Sequence, residues 1–199
     1  MMETKRARAD EGASTGMSDV IPSAARIPQA LYQQITAIMP IPCVDLVIVR
    51  AGAAGPEVLI VKRAIEPEKD VWCIVGGRVI GGRDVAPERL AGAIARQAER
   101  ELGVEVAIVP PWDANHPLAV FDDPECDPAK YPIVLVYPVE ITKGTARTGP
   151  ESSDVRWCPH DELPDVMGFT HRAEIDATID ALARRGWPAP CDRVGWPQG

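Results

Sequence analysis

A chain of 199 residues with 46% hydrophobic content is long enough for one domain with a sizeable core, which excludes wholesale disorder. Its formal net charge of -8 disfavours adhesion to a nucleic-acid backbone, and no apolar run approaches the ~20 residues that span a bilayer. Five cysteines without a C-x-x-C pair argue against a zinc site and for a reduced, cytoplasmic compartment.

Residues 1–26 are polar, Ala/Ser-rich and aperiodic, which predicts a disordered leader; they lack the apolar h-region of a secretory signal, and Met17 is an alternative start. Ile27 to Met39 carries Leu31, Ile35 and Ile38 at helical spacing, predicting a short amphipathic helix packed on the domain and ended by Pro40 and Pro42. Its Tyr32-bearing face is a candidate homodimer surface. Cys43 to Arg50 is a strand by its β-branched content and forms a hairpin with Glu57 to Arg63 across a turn at Gly52 to Pro56. Asp45 interrupts this apolar strand. It is either a sheet-edge residue facing water or a carboxylate turned towards a site.

Val71 to Val104 is the organising stretch: a short buried strand, a loop with Gly76-Gly77 and Gly81-Gly82, and a helix that stops at Gly103. Pro87 suits the first helical turn and Asp84 can accept from free N–H groups. After it, Glu105 to Val109 and Leu118 to Phe121 read as short strands and Ile133 to Thr142 as a long one. Pro138 predicts an edge or a bulge within that long strand. Asp154 to Trp157 is a last strand, Pro159 to Leu163 a single helical turn, and Thr170 to Arg185 a helix with Ile175, Ile179 and Leu182 on one face. The domain is therefore expected over residues 27–185, with an irregular tail over 186–199. Strands and helices in this order predict an α+β fold, an α/β/α sandwich with a mixed β-sheet.

The central helix places Leu90, Ala91, Ile94, Ala95, Ala98 and Leu102 on one arc at 100° per residue. Glu101 projects beside that arc, while Glu99 and Arg100 read as a solvated face and Glu88 as an acid that compensates the helix dipole. A carboxylate in the last helical turn opposes the dipole at a cost of up to ~1 kcal/mol, so Glu101 demands a positive partner. On the residues alone that partner is an arginine (Arg63, Arg78 or Arg96) or a metal ion.

At these residues the chain resembles the Nudix hydrolases, whose signature is G-x5-E-x7-R-E-U-x-E-E-x-G-U with U aliphatic. Gly82-x5-Glu88-x7-Arg96 matches the front by spacing, whereas counting from Gly77 instead puts Arg83 at the first glutamate and makes the unit five residues longer. Arg96 to Val104 matches the back with Gln97 and Arg100 in place of two glutamates. The pattern Gly76-Gly77-Arg78-Val79 with one remaining glutamate looks like the GDP-mannose mannosyl hydrolase branch. That resemblance implies a single Mg²⁺, with Mn²⁺ as the alternative, held by Gly76, Glu101 and Glu151. It implies Arg63 and Arg78 as the catalytic arginines that neutralise a leaving diphosphate, with Glu151 a second catalytic candidate. Asp45, Asp123 and Tyr131 fall on substrate contacts, Asp123 within Phe121-Asp122-Asp123. The branch's histidine base falls on Ser152, which lacks a base of its own, and a second histidine position falls on Ala119. His116, His160 and His171 are the remaining histidines, each read as a surface or capping residue.

The expected function is Mg²⁺-dependent hydrolysis of a nucleoside-diphosphate sugar at the glycosyl C–O bond, on a small-molecule nucleotide with no nucleic acid or membrane partner. The alternatives are phosphoanhydride cleavage of ADP-ribose or a nucleoside triphosphate, and a nucleotide-binding regulatory protein that has lost catalysis.

Overall fold

The computed structural model describes residues 27–81 and 88–187. The expected leader, the loop roles of Asp84 and Pro87, and the tail beyond Trp187 lie outside the described residues. In chain order the elements are α1 (Gln29–Thr36), β1 (Ile41–Ala51), β2 (Pro56–Arg63), β3 (Trp72–Cys73), β4 (Val75–Arg78), α2 (Leu90–Leu102), β5 (Glu105–Ile108), β6 (Ala119–Phe121), β7 (Pro132–Lys143), β8 (Ser152–Pro159), a 3₁₀ turn (His160–Glu162) and α3 (His171–Ala183).

β1 is the hub of the sheet. It pairs antiparallel with β2 through Val49↔Val58 and with β4 through Asp45↔Gly76, and parallel with β7 from Ile41↔Pro132 to Ile48↔Val139. β8 pairs with β2, and β5 and β6 pair with β7, all antiparallel, so the sheet is mixed. A strand buried on both faces is expected to be a continuous apolar run, and β1 is one from Cys43 to Val49 but for Asp45. Its alternate residues serve two cores. Cys43, Val47 and Val49 meet Ile175, Ile179 and Leu182 of α3, while Val44, Leu46 and Ile48 meet Ala93, Ile94, Ala98 and Leu102 of α2. With one helix on each face, the predicted α/β/α sandwich is what forms.

Four local readings are corrected. Pro138 lies inside the sheet, in register with Val47 of β1. Its carbonyl accepts from Val109 N–H (2.9 Å), so its nitrogen faces the hand-over between β6 and β5, where the ladder requires no donor. The buried face of α2 comprises Ala93, Ile94, Gln97, Ala98, Glu101 and Leu102, with Ala91 and Ala95 exposed. The N-terminal helix ends at Thr36, buries none of its residues fully, and leaves Ile38 80% exposed, although Ile35 packs against the core. Trp187, assigned to the tail, packs on the domain and donates its indole N–H to Glu140 (3.1 Å). No helix among the described residues is long and apolar enough to cross a membrane.

Glu88 precedes α2 rather than compensating its dipole. It accepts the Ile80 N–H (3.0 Å) and two bonds from Arg96 (2.7 and 2.9 Å), and the Arg96 guanidinium holds its carboxyl below the usual carboxylate range. Arg96 also reaches the Arg78 carbonyl (3.0 Å), tying β4 to the start of the helix. The x7 spacing thus marks a strut. Glu88→Ala should lower stability by about 1.5–3 kcal/mol, the range for hydrogen bonds to charged groups. Chemical denaturation would read the loss, and an unchanged midpoint would refute the strut.

Candidate active site

Two adjoining cavities open where β1, β4 and the end of α2 meet. The larger is a cleft of about 760 Å³, within the range of small-molecule sites, and it takes in Asp45, Arg63, Gly76, Arg78, Arg100 and Glu151. The smaller, of about 30 Å³, is bounded by Arg63, Gly76, Glu101, Glu151 and Ser152, together with apolar side chains of β2 and β4.

Each polar group reaches this place for a structural reason. Glu101 rides the last turn of α2 and is 8% exposed. Gly76 sits over Asp45, where a Cβ would come within 1.8 Å of Asp45 Oδ1, so the strands close only on a glycine. Glu151 is delivered by the loop before β8. That loop is clamped to the end of α2: Arg147 N–H donates to Leu102 (3.0 Å), and its guanidinium lies on left-handed Gly103. Gly149 packs so tightly that a Cβ would be 2.7 Å from Glu101 Cα. Ala64 N–H then holds the Glu151 carbonyl (2.8 Å), and Ser152 Oγ accepts the Gly149 N–H (2.9 Å), so this serine braces the loop. Arg63 is fixed by donating to the Pro67 carbonyl (2.7 Å), with its guanidinium 5.3 Å from the Phe169 ring centroid.

The arginine in direct contact with Glu101 is none of the three expected, although Arg63 adds its charge from across the cavity. Arg100 Nη1 stands 3.1 Å from Glu101 Oε1, and Nη2 contacts Glu151 Oε1. Glu101 Oε1 nevertheless has no aligned hydrogen-bond donor, so the contact is one of charge. Burial raises the Glu101 carboxyl above the usual carboxylate value, with the Arg100 charge opposing it. A buried oxygen without a donor, beside a second carboxylate and Gly76 at a cavity large enough for an ion or a water, suits a hard cation that takes oxygen ligands. Gln97, 2% exposed, leaves its Oε1 equally unpartnered one turn earlier.

A second polar cluster lies beneath Gly76. Asp45, His171 and Glu174 are all buried, with one ligand atom of each within 4.8 Å of the others. His171 Nε2 is 3.2 Å from Asp45 Oδ2, and Ile74 N–H donates to Nδ1 (3.2 Å). Two placements of the shared proton are chemically open: on the imidazole, which the two carboxylates favour against its burial, or on Glu174. An Nδ1 that accepts an N–H cannot also carry a proton, so the ring is neutral with its hydrogen on Nε2, directed at Asp45. A metal ion on Nε2 would leave the ring without either proton, contrary to the usual arrangement of a ligating histidine, so this cluster holds a proton rather than a metal. Burial and the Asp45 charge push the Glu174 carboxyl well above the usual carboxylate range. Thr170 Oγ1 donates to Glu174 Oε1 (2.6 Å), whereas Oε2 has no hydrogen-bond partner.

Of the residues singled out from the sequence, Arg63, Gly76, Glu101 and Glu151 converge, and Asp45 and Arg78 line the adjoining cleft. Asp123 and Tyr131 do not line it: Asp123 is exposed and accepts the Glu125 N–H of its own turn (2.9 Å), and the Tyr131 carbonyl accepts from Ile41. His116 is exposed and paired with Asp113, and His160 pairs with Asp176. His171 is buried in the cleft wall and is no surface cap. Sequence reasoning passed over Arg100, His171 and Glu174. The i, i+3 spacing of the last two, which puts both on one helix face, was the available signal.

Comparison with known proteins adds a family. A profile described as "NUDIX domain" matches residues 39–179. The low-salt glycan biosynthesis protein Agl8 of Haloferax volcanii is 39% identical over 83 residues, 42% of this chain and 47% of that protein, so the chain spans about half the length of this relative. Among solved structures, a MutT/nudix family protein from Enterococcus faecalis superposes with a TM-score of 0.57 at 19% identity, covering 73% of this chain and 63% of that one. The NUDIX domain of Shewanella oneidensis NrtR, crystallised with ADP ribose, gives 0.56 at 20% identity, covering 78% and 99%.

The Glu174 proton sets a pH signature. A carboxyl whose pKa is raised on folding favours the folded state fully below the unfolded value, and that advantage is lost as pH climbs towards the raised one. Thermal melts should therefore show Tm falling from pH 6 to 9. Glu174→Gln, which carries no proton to lose, should flatten the fall; an identical slope in both proteins would contradict the placement.

Proposed function

The chain belongs to the NUDIX domain family, and on that premise we propose that it hydrolyses a nucleoside-diphosphate sugar of the GDP-mannose kind, breaking the glycosyl C–O bond and releasing the nucleoside diphosphate. The observation that supports this reading is the convergence of Gly76, Glu101, Glu151 and Arg63 on one small cavity at the wall of a nucleotide-sized cleft. The helix offers that cavity one inward carboxylate, Glu101; the other acid nearest the helix end, Glu99, is exposed.

Gly76, Glu101 and Glu151 would hold a Mg²⁺ ion, which when bound supplies positive charge to a departing diphosphate. The rest falls to the protein. Arg63, restrained by Pro67 and Phe169, presents a preorganised guanidinium at the junction of the two cavities, where charge develops on the leaving group. Arg78 lines the same cleft, with its guanidinium 6.0 Å from the Tyr32 ring centroid, and is the second arginine of the pair. Asp45 offers an acceptor edge from the cleft floor, aligned by His171, for the base-bearing end of the substrate. If Gly76 and Glu101 alone hold the ion, Glu151, less buried than Glu101, is instead the carboxylate available to take a proton from attacking water.

A second reading is favoured by Arg100, whose guanidinium bridges the two carboxylates: a nucleotide-binding protein without turnover. Incubation with GDP-mannose and Mg²⁺ in ¹⁸O water separates the readings. Label in the released sugar is expected; label in a phosphate would transfer the reaction to the phosphoanhydride bond, and no turnover of any nucleotide sugar would leave the binding role. Arg63→Ala should lower kcat on the order of 10²–10³-fold, the usual loss when one preorganised electrostatic stabiliser is removed. A wild-type rate in that variant would remove Arg63 from the chemistry.

A further inference from the structure

Arg100 stands where the family signature carries a glutamate, and its geometry gives it a task. The side chain is 46% exposed, yet its guanidinium spans the two carboxylates of the small cavity, 3.1 Å from Glu101 and in contact with Glu151. It also lines the large cleft. One cation therefore faces both the place of the metal and the place of the diphosphate.

The hold on the carboxylates is incomplete. Glu101 Oε1 lacks an aligned donor despite the short charge contact, and a half-exposed arginine forms ion pairs that contribute little net stability. Charge counting gives the direction of any exchange. With Arg63 also bordering the cavity, two carboxylates and two guanidiniums sum to about zero; a divalent ion added to that set makes it positive by about two, and Arg100, the half-exposed guanidinium, is then the repelled and mobile member. A diphosphate in the adjoining cleft offers it a bidentate partner.

We propose that Arg100 is a tethered cation that occupies the Glu101–Glu151 pair in the free protein and is handed over to the substrate's diphosphate when a divalent ion enters. This rests on the assignment of Gly76, Glu101 and Glu151 to the metal. Ion and diphosphate then bind cooperatively: the ion alone must displace Arg100 with nothing to receive it, whereas with a diphosphate present both charges find partners. The coupling is reciprocal, so a nucleoside diphosphate alone also binds weakly. The device selects ligands that carry a diphosphate and keeps the carboxylate pair partly neutralised without one.

Mn²⁺ binding to the full chain, read by electron paramagnetic resonance with and without GDP, tests this, with formation of Mn–GDP subtracted from a protein-free titration. GDP should tighten Mn²⁺ binding to the wild type by a factor in the range of about 5–150. Arg100→Gln should bind Mn²⁺ alone more tightly than the wild type and lose most of the enhancement by GDP. Arg100→Lys keeps a charge on a shorter reach and controls for charge alone, a thermal melt of each variant controls for folding, and Glu101→Gln should abolish the tight site. Equal Mn²⁺ affinity in wild type and Arg100→Gln, equal enhancement in both, or no Mn²⁺ binding in any variant would overturn the proposal. Tight Mn²⁺ binding in Arg100→Gln with none in the wild type even with GDP would make Arg100 a permanent substitute for the ion, and the handover would fail. If GDP does not bind at all, the nucleotide-sugar reading falls, while the comparison without GDP still judges the grip of Arg100.

Discussion

The register that pairs Asp45 of β1 with Gly76 of β4 is the constraint on which the rest depends. β1 is central, so a carboxylate on it is committed to the interior, and it is accommodated only because the facing residue has no side chain. Above this pair Gly76 borders the small cavity with Glu101 and Glu151, and below it Asp45 meets His171. Two polar assemblies thus share one wall, one residue thick.

They manage buried charge in opposite ways. A buried acid without a partner costs several kcal/mol or takes up a proton. Glu174 takes the second course, keeping a proton in a buried cluster beside Asp45 and the neutral His171. Glu101 avoids both, leaning on a guanidinium that reaches in from the surface. The first assembly braces the architecture and shows the cleft only its Asp45–His171 edge. The open one, at the cleft, is where charge can be exchanged with a ligand.

Much of this was legible in the residues. The hairpin, the mixed sheet and the inward turn of Glu101 followed from β-branched runs, from the turn at Gly52 to Pro56, and from the angular position of Glu101 on α2. Asp45 had two readings, and burial on a central strand decides for the one directed at a site. What escaped depends on long-range geometry. A helix wheel with the wrong phase put Ala91 and Ala95 inside, because Gln97 and Glu101 do not count as apolar although the sheet buries them. Proline's missing donor predicts an edge or a bulge at Pro138, and only the pairing shows that its nitrogen faces a gap between two neighbours. Arg100 was read from its place on the solvent side of the wheel. A long side chain can leave from the exposed face and still deliver its charge to a buried one.

The clamp at the end of α2 carries a dynamic consequence. Left-handed Gly103 ends the helix, the Arg147 guanidinium lies over it, and the Arg147 N–H is bonded to Leu102, so helix terminus and loop share one set of contacts. Fraying of the final helical turn would release the loop and carry Glu151 away from Glu101 in the same event. The lifetime of the assembled carboxylate pair is then set by local opening of that turn rather than by global unfolding, and the amides of Gly103 and Arg147 form one exchange unit.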